Sequence, residues 1–259
     1  MHDGSRTQAA GEIATGTVIG SESVKSPYEV FIVGETIDLV LPNRHAIDVD
    51  GWHSWFNQQD VTYHSNHGLF PNTRENQYRW LEKITNDDTR LDLLILPKGE
   101  PHVIGIVSLS QISWQHRSAH NGLIVGSKKR HKGALFHGLE AKARMAEHAF
   151  EVMGMERVWS AQVVGLQDWQ KLITLFGFRP EGVWRRSHRR GYRVYDHACN
   201  SCLLEDYLRV KEARNGAYWP GKAWLLDLIR QLPKESIVEA VAEAINQTVE
   251  DYLKRVPLT

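Results

Sequence analysis

The sequence lacks several features that would place a protein in a special class. It has only 2 cysteines in 259 residues, too few for a disulfide scaffold. Its 31 basic residues equal its 31 acidic residues, so any anion site has to be local and nucleic acid is not an expected partner. No stretch approaches the ~18 consecutive apolar residues of a membrane span, and no basic start leads into an apolar secretory segment. We therefore expect a soluble, cytoplasmic, globular protein with no membrane partner.

The chain does have enough length for a large core, since a chain of this size buries roughly three quarters of its unfolded surface. Residues 1–26 are rich in Gly, Ser, Thr and Ala without sustained periodicity, which predicts a flexible N-terminal tail. Residues 27–214 carry the clearest strand and helix patterns and form the predicted main domain. Pro220-Gly221 breaks the chain after it, and residues 215–259 are predicted to be a C-terminal helical extension.

The order of strand and helix patterns predicts a mixed α/β fold, with a largely antiparallel central sheet flanked by helices. Short runs of β-branched residues predict strands, and a Lys98-Gly99 turn predicts a hairpin. Helices are predicted at Ala46–Phe56 and Asp168–Phe176. A further helix is predicted to begin after Asn72-Thr73, a long one to end at Gly154, and another to begin at Leu204. Strands are predicted at Tyr28–Val33, Ile37–Leu41, Leu91–Pro97, His102–Ile112, Asn121–Gly126, Arg157–Val164, Phe178–Trp184 and Tyr192–Leu204, the last two bracketing a loop that contains RRSHRRG.

The densest positive charge of the chain, Lys128–Lys132, lies between the strand Asn121–Gly126 and a long amphipathic helix. The helix carries an apolar stripe at Leu135, Leu139, Ala143, Ala146, Phe150 and Met153, and Glu140, Arg144, His148 and Glu151 are predicted to face solvent. A helix N-terminus presents unpaired N–H groups, so basic residues there favour a bound phosphate or diphosphate. The alternative is a solvated loop.

The order of these motifs resembles the GNAT superfamily of N-acetyltransferases. The loop Arg130-His131-Lys132-Gly133-Ala134-Leu135 is similar to the one that holds the diphosphate of acetyl-coenzyme A in that family. Gly177-Phe178, Glu181-Gly182 and Asp196 follow at similar spacing, and the resemblance covers about residues 28–207. The stretch WHSWFNQQDVTYHSNHGLFPNTRENQYRWLE is closest in pattern to amino-sugar and Rim-type acetyltransferases.

The resemblance implies a GNAT-like fold with acetyl-coenzyme A as acyl donor and no metal. It departs from the family pattern at Leu135, where Gly or Ala is usual, at Leu166, where Asn is usual, and at Ile173, where a Tyr or similar acid is usual. Gln167 or Asp168 are the candidate replacements for that Asn. The coenzyme-binding residues implied are Leu123, Ile124, Val125, Lys129, Arg130, His131, Lys132, Gly133, Ala134, Leu135 and Asp168.

His120 is the predicted general base, because relatives often carry Glu at the start of this strand and a histidine is expected to titrate near neutrality. A backbone N–H within Leu123–Val125 is the expected oxyanion donor. The alternative for His120 is a polar residue at a strand end.

The predicted substrate-binding residues are Trp55, Asn57, His64, Arg186 and Arg189. The alternative for Trp55 is that its side chain packs in the hydrophobic core and does not contact the substrate. Five arginines fall within nine positions, at Arg185, Arg186, Arg189, Arg190 and Arg193. They predict either a solvated hairpin or an anion site for a substrate nucleotide or for RNA. Cys199 and Cys202 lie within a predicted strand, where residues three apart face opposite sides, so a metal or redox site is not expected.

Together these features predict an acetyl-coenzyme A-dependent N-acetyltransferase that acts on a nucleotide-linked amino sugar or another small amine. A protein N-terminal acetyltransferase of ribosomal type and a catalytically decayed binding module of the same fold are the alternatives. The final helix, capped by Ser236, carries a regular apolar stripe that has to be buried on the main domain or in a homodimer. That stripe consists of Ile237, Val241, Ala244, Ile245, Val249, Tyr252 and Leu253.

Overall fold

The structure is a computed structural model that describes residues 26–126 and 133–256. Its strands form one sheet of eight strands in the order β1-β2-β3-β4-β5-β6-β8-β7. All neighbouring strands are antiparallel except β5 and β6. The strands are β1 (Val30–Val33), β2 (Ile37–Val40), β3 (Leu91–Pro97), β4 (Gly105–Ser113), β5 (Ser118–Val125), β6 (Arg157–Val163), β7 (Arg179–Arg190) and β8 (Arg193–Leu203). The prediction of a mixed α/β fold with a largely antiparallel sheet is confirmed.

Helices cover both faces of the sheet. On one face, called the α5 face, the long helix α5 buries Leu139 and Met145 against Leu93 and other strand residues. On the opposite face, called the α4 face, three short helices and α4 bury Trp52 and Ile84 against the sheet. The helices are α1 (Arg44–Asp48), α2 (Trp52–Trp55), α3 (Gln59–Thr62), α4 (Arg74–Thr85), α5 (Ala134–Glu151), α6 (Gln167–Thr174), α7 (Leu204–Ala213), α8 (Lys222–Arg230) and α9 (Ile237–Leu253).

The predicted single helix Ala46–Phe56 is wrong, because the chain forms α1 and α2 there. Gly51 lies between them with φ +70°, a left-handed conformation that interrupts a helix. The predicted loop of arginines is wrong as well. Strand β7 continues through Arg190, and the turn to β8 is made at Gly191 and Tyr192. A bulge between Trp184 and His188, with Arg186 at φ +54°, accommodates the run within the hairpin.

The prediction that Glu140 faces solvent is wrong. The Glu140 side chain is fully buried. Its carboxylate accepts hydrogen bonds from the Thr36 amide at 2.9 Å and from the Thr36 hydroxyl at 2.6 Å. The amide of Glu35 donates to the same carboxylate. A buried carboxylate is tolerated when several donors satisfy it, so Glu140 ties the β1–β2 turn to α5.

The segment after residue 214 packs on the main domain. Tyr218, Trp219 and Leu225 belong to the core of the α5 face. Helix α9 contacts β7 and α6, and Val238 is buried there. The rest of its stripe is only partly covered within this chain, since Ile237, Ile245, Val249, Tyr252 and Leu253 remain 40–67% exposed.

Across residues 26–126 and 133–256, no helix combines the length and the apolar character needed to cross a bilayer.

Candidate active site

Strands β5 and β6 separate partway along their length. They pair in parallel over only three positions, Ser118 with Arg157, Ala119 with Val158 and His120 with Trp159. Both strands then continue, β5 to Val125 and β6 to Val163, without further pairing to each other. We call the opening between residues 121–125 and 160–163 the fork.

Strand alternation shows which backbone groups face the fork. The amide of Gly126 donates to Ile104 at 2.8 Å, so even-numbered residues of β5 direct their N–H and C=O groups toward β4. The odd-numbered residues Leu123 and Val125 therefore direct theirs toward the fork. The same argument applies to β6, where Val164 donates to Asp196 at 2.9 Å, which leaves Ala161 facing the fork.

Of the three strand residues predicted to bind the coenzyme, Leu123 and Val125 thus present main-chain donors to the fork. Ile124 directs its main-chain groups to Ile106 on β4. A β-strand edge with unpaired groups next to a cleft is a ready site for an extended amide-containing chain or a developing oxyanion.

His120 lies at the start of the fork on the α4 face. Its Nδ1 is 3.1 Å from Ser110 Oγ, and its ring centre is 4.6 Å from that of Trp159. Gly122 lies beside it, and a Cβ there would fall 2.8 Å from Ser108 Oγ and 3.5 Å from His120 Cε1. The expectation that His120 titrates near neutrality is wrong. Burial, together with the nearby Lys142 ammonium, lowers the pKa of His120 to about 4.

The N-terminus of α5 lies at the end of the fork. Gly133 adopts φ +92°, a left-handed conformation that favours glycine. The first helical hydrogen bond of α5 runs from the His137 amide to Gly133 at 3.0 Å, so the amides of residues 134–136 have no partner inside the helix. Ala134 and Leu135 are in the first turn, and Leu135 is half-exposed. Lys129, Arg130, His131 and Lys132 lie outside the described residues.

The β7–β8 hairpin reaches across the α4 face to the chain after α3. Tyr63 Oη is 2.7 Å from Tyr195 Oη, and Arg193 donates to the Tyr63 hydroxyl at 3.3 Å. Arg190 donates to the carbonyl of His67 at 2.8 Å. We call this set, Tyr63, Arg190, Arg193 and Tyr195, the roof. The hydrogen bond to Tyr195 and the neighbouring Arg193 lower the pKa of Tyr63.

A family model described as Acetyltransferase (GNAT) domain matches residues 38–179, which is more than half of the chain. This chain belongs to the GNAT family of acetyltransferases. Membership makes it an acyltransferase, and it confirms the family resemblance read from the sequence. No protein in the curated set matches the chain.

Solved structures share the fold of this GNAT chain at low identity. The spermidine N-acetyltransferase from Vibrio cholerae, solved with CoA and spermine, is 18% identical, with TM-score 0.59. That match covers 68% of this chain and 99% of the other. The microcin C7 self-immunity acetyltransferase MccE, solved with acetyl-CoA and AMP, is 20% identical with TM-score 0.54, covering 66% and 93%. A putative acetyltransferase from T. thermophilus is 22% identical with TM-score 0.55, covering 70% and 93%.

The positions where this GNAT chain departs from the family pattern have clear surroundings. Ile173 is 1% exposed within the core of the α5 face, so its position cannot present an acid to the fork. Leu166 precedes α6 as its N-cap, without a side-chain cap. Asp168 is exposed in the first turn of α6, and the Gln167 side-chain amide donates a hydrogen bond to Glu239 of α9.

The predicted substrate residues of this GNAT chain separate into two groups. Trp55 is a core residue at 4% exposure, so the prediction that its ring contacts substrate is wrong. Its ring lies against Gly126, where an added Cβ would fall 2.2 Å from Trp55 Cδ2, and it thereby fixes the end of β5. The Asn57 side chain is engaged by the main chain of Asn72. It donates to the Asn72 carbonyl at 2.9 Å and accepts from the Asn72 amide at 2.7 Å.

The other group lies in the β7–β8 hairpin and in the chain after α3. His64 is exposed, with its ring centre 4.9 Å from that of Tyr63 and 6.4 Å from that of Tyr195. Arg186 and Arg189 are exposed on β7, and the Arg186 amide donates to Asp196 at 2.6 Å.

Sequence reasoning missed Tyr63, Tyr195, Trp159 and Trp184 as site residues. Trp159 lies next to His120, and the ring centre of Trp184 is 6.2 Å from that of Trp159. Alternation in the strand RVWSAQV places Trp159 on the same face as a paired His120, but only if the β5–β6 register is known. Across residues 26–126 and 133–256, no group of three or more candidate ligands is arranged to hold a metal ion.

Proposed function

We propose that this GNAT chain is an acetyl-coenzyme A-dependent N-acetyltransferase for a small primary amine that carries a negative charge, with a nucleotide-linked amino sugar as the leading candidate. The observation that supports this most is the fork, in which the main-chain donors of Leu123 and Val125 follow His120 along the same strand. Acetyl-coenzyme A supplies the activated acyl group when it is bound.

The residues present fit that coenzyme. Helix α5 offers its free N-terminal amides after Gly133, where a diphosphate is favoured by unpaired N–H groups and the helix dipole. The fork offers an unpaired strand edge for the extended amide chain. The N–H groups of Leu123 or Val125 are placed to stabilise negative charge on the acyl oxygen, and holding the amine beside the acyl carbon supplies much of the acceleration.

His120 is the proposed acceptor of the amine proton. At pH 7 its ring is uncharged, so it is ready to accept a proton, and its Nδ1 is held by Ser110. A pKa near 4 makes it a weak base, so its contribution is expected at the lower end of the usual range for general bases, about a hundredfold.

The charge around the acceptor side favours an anionic acceptor. The hairpin carries the exposed arginines Arg185, Arg186, Arg189 and Arg193, and two acids, Asp196 and Glu181, of which Glu181 is paired with Arg157. A polyamine such as the spermine of the Vibrio cholerae structure would be repelled by this surface, whereas a phosphate would be attracted. The AMP in the MccE structure shows that a nucleotide can accompany acetyl-CoA in a protein of this fold.

The roof favours a small acceptor over a protein N-terminus, because its hydrogen bonds join the β7–β8 hairpin to the chain after α3 and so limit the room for a long peptide. Cys199 and Cys202 are buried and unpaired. That is consistent with the proposed cytoplasmic location, where thiols stay reduced.

The proposal is tested by measuring thiol release from acetyl-coenzyme A with three acceptors: a nucleotide-linked amino sugar, the same amino sugar without the nucleotide, and spermine. We expect turnover with the first, with a KM at least tenfold lower than for the free sugar, and little with spermine. Arg186→Ala combined with Arg189→Ala is expected to raise the KM for the nucleotide-linked acceptor severalfold with little change in kcat.

Arg209→Ala is the matched control, because Arg209 is an exposed arginine that pairs with Asp206 on α7, outside the hairpin. Preferential turnover of spermine, or of a peptide N-terminus, would contradict the anionic acceptor. Failure of the wild-type protein to bind acetyl-coenzyme A in calorimetry would contradict the enzyme itself and favour a binding module.

A further inference from the structure

A buried lysine lies at the base of the fork. Lys142 is on the inner side of α5, and its residue is only 4% exposed. Its Nζ donates a hydrogen bond of 2.6 Å to the main-chain carbonyl of Asn121, and the Asn121 side-chain amide donates back to the Lys142 carbonyl at 3.0 Å. The ring of Phe178 lies on its other side, with its centre 5.1 Å from Nζ.

The carbonyl that Lys142 binds is the first group released when the strands separate. Asn121 is odd-numbered on β5, so its N–H and C=O groups are directed toward β6. In the last parallel pair, His120 with Trp159, the Asn121 amide donates the hydrogen bond to β6. In a continuing parallel ladder the Asn121 carbonyl would accept from the amide of Ala161. Lys142 takes that place.

Such a lysine is costly for the fold. An ammonium removed from water needs a counter-ion or several acceptors, and within residues 26–126 and 133–256 no carboxylate forms an ion pair with Lys142. Burial lowers the pKa of Lys142 to about 7. Groups with this cost are concentrated at functional sites, and here the group lies where two strands have to remain apart.

We propose that Lys142 is a positioning residue that keeps the fork open, because its Nζ occupies the Asn121 carbonyl that would otherwise pair with β6. The inference rests on the proposed binding of acetyl-coenzyme A at the fork. Without the lysine, Asn121 and Ala161 are free to form the next ladder bond, and the opening for the acyl group narrows from its base.

The decisive variant is Lys142→Met, which keeps the length of the side chain and removes the donor. We expect its affinity for acetyl-coenzyme A, measured by calorimetry, to fall about tenfold or more. Its melting temperature should stay the same or rise, since replacing an uncompensated buried charge with an apolar side chain is often neutral or stabilising. A residue with only a structural role would lower stability and leave the affinity alone.

Amide hydrogen exchange without coenzyme gives a readout that does not depend on the proposed function. The Ala161 amide should exchange at least tenfold more slowly in Lys142→Met than in the wild-type protein, because it gains the Asn121 carbonyl as partner. Failure of the wild-type protein to bind acetyl-coenzyme A would therefore defeat the proposed function, while the exchange result would still decide the role of Lys142.

Two control variants are matched to this test. Lys211→Met removes a lysine that pairs with Glu151 at the surface, and its affinity for acetyl-coenzyme A should not change. Asn121→Ala removes the return bond to α5 but keeps the main-chain carbonyl, so the fork should stay open and the Ala161 amide should remain unprotected.

Unchanged affinity and unchanged exchange of Ala161 in a folded Lys142→Met protein would overturn the proposal. If that variant does not fold, Lys142→Gln, which keeps a donor, is measured in the same way and should bind with intermediate affinity. Failure of both variants to fold would also overturn the proposal, since it would show that the buried lysine is required for stability.

Discussion

At the scale of single residues, His120 is the part of the proposed mechanism that kinetics tests most directly. Its place on the sheet agrees with the prediction, because it pairs with Ser110 on one side and with Trp159 on the other. Its environment does not agree, since burial withdraws the ring from water and disfavours the imidazolium form. The residue is therefore positioned as a base but is weaker than an ordinary histidine.

We predict that His120→Ala lowers kcat by about a hundredfold and leaves the affinity for acetyl-coenzyme A unchanged. In the wild-type protein, kcat/KM should stay flat on the acid side down to about pH 5, because only below about pH 4 does the folded protein protonate this ring. Steady-state kinetics with the identified acceptor across the pH range measures both effects.

His116→Ala is the control, since His116 is an exposed histidine in the turn before β5. A loss of less than about threefold in His120→Ala would mean that water or another group takes the proton. An acid limb of kcat/KM near pH 6.5 that disappears in the variant would show that the ring has an ordinary histidine pKa in the free protein, which contradicts the buried base.

At the scale of elements, the β7–β8 hairpin and the chain after α3 form one boundary of the acceptor site. The contacts are few and partly exposed to solvent, so each adds little to the stability of the fold. A boundary held by such bonds can limit the size of the acceptor without adding much to the stability of the fold.

We predict that Tyr63→Phe widens the range of acceptors. The variant loses the hydroxyl that bridges Tyr195 and Arg193, so kcat/KM for a bulky amine should rise severalfold relative to that for the smallest active amine. The ratio of the two specificity constants is the measurement, and the melting temperature should change by no more than about 2–4 °C.

Tyr78→Phe removes a tyrosine hydroxyl that pairs with Asp48 on the outer side of α4, and it should leave the ratio unchanged. An equal change in both variants would indicate a general loosening of the α4 face rather than a role for the roof.

At the scale of the whole molecule, the C-terminal segment has two separate parts. Helix α8 is part of the domain core through Leu225, whereas α9 lies across the edge strand β7 and leaves Val249 and Tyr252 open to solvent. The predicted homodimer through these helices would cover that remaining surface, as exposed apolar stripes in a folded chain generally require.

We predict that Val249→Lys combined with Tyr252→Lys halves the mass in solution without lowering the melting temperature, because neither side chain is buried within one chain. Deletion of residues 233–259 should also halve the mass. It should in addition lower the melting temperature by several degrees, because it removes the buried Val238 and the contact between Gln167 and Glu239. Light scattering and thermal unfolding measure the two quantities.

Acetyl-coenzyme A affinity serves as the control in the double variant, since neither substitution touches the fork. An unchanged mass in the double variant would show that α9 has no part in association, and a monomeric wild-type protein would have the same meaning.

The sequence alone determined the order of the strands and of the longer helices. Period-two and period-3.6 patterns arise from neighbours along the chain, and so do the helix ends at Gly154 and Gly177, which both adopt the left-handed conformation expected of them. The glycine and the helix start at Gly133 and Ala134 were readable for the same reason, because both are local. These features sufficed to identify the fold and the family.

Only the tertiary structure decided which side chains are buried at the site. Glu140 and Lys142 lie on polar positions of a helix pattern, yet each is buried by a partner more than twenty residues away, Thr36 in one case and Asn121 in the other. The fork depends on where the pairing of β5 with β6 stops, and the roof depends on Tyr63 meeting a hairpin residue 132 positions later. Hydrogen bonds between distant segments leave no period in the sequence, so the opening of the site could be found only from the packed chain.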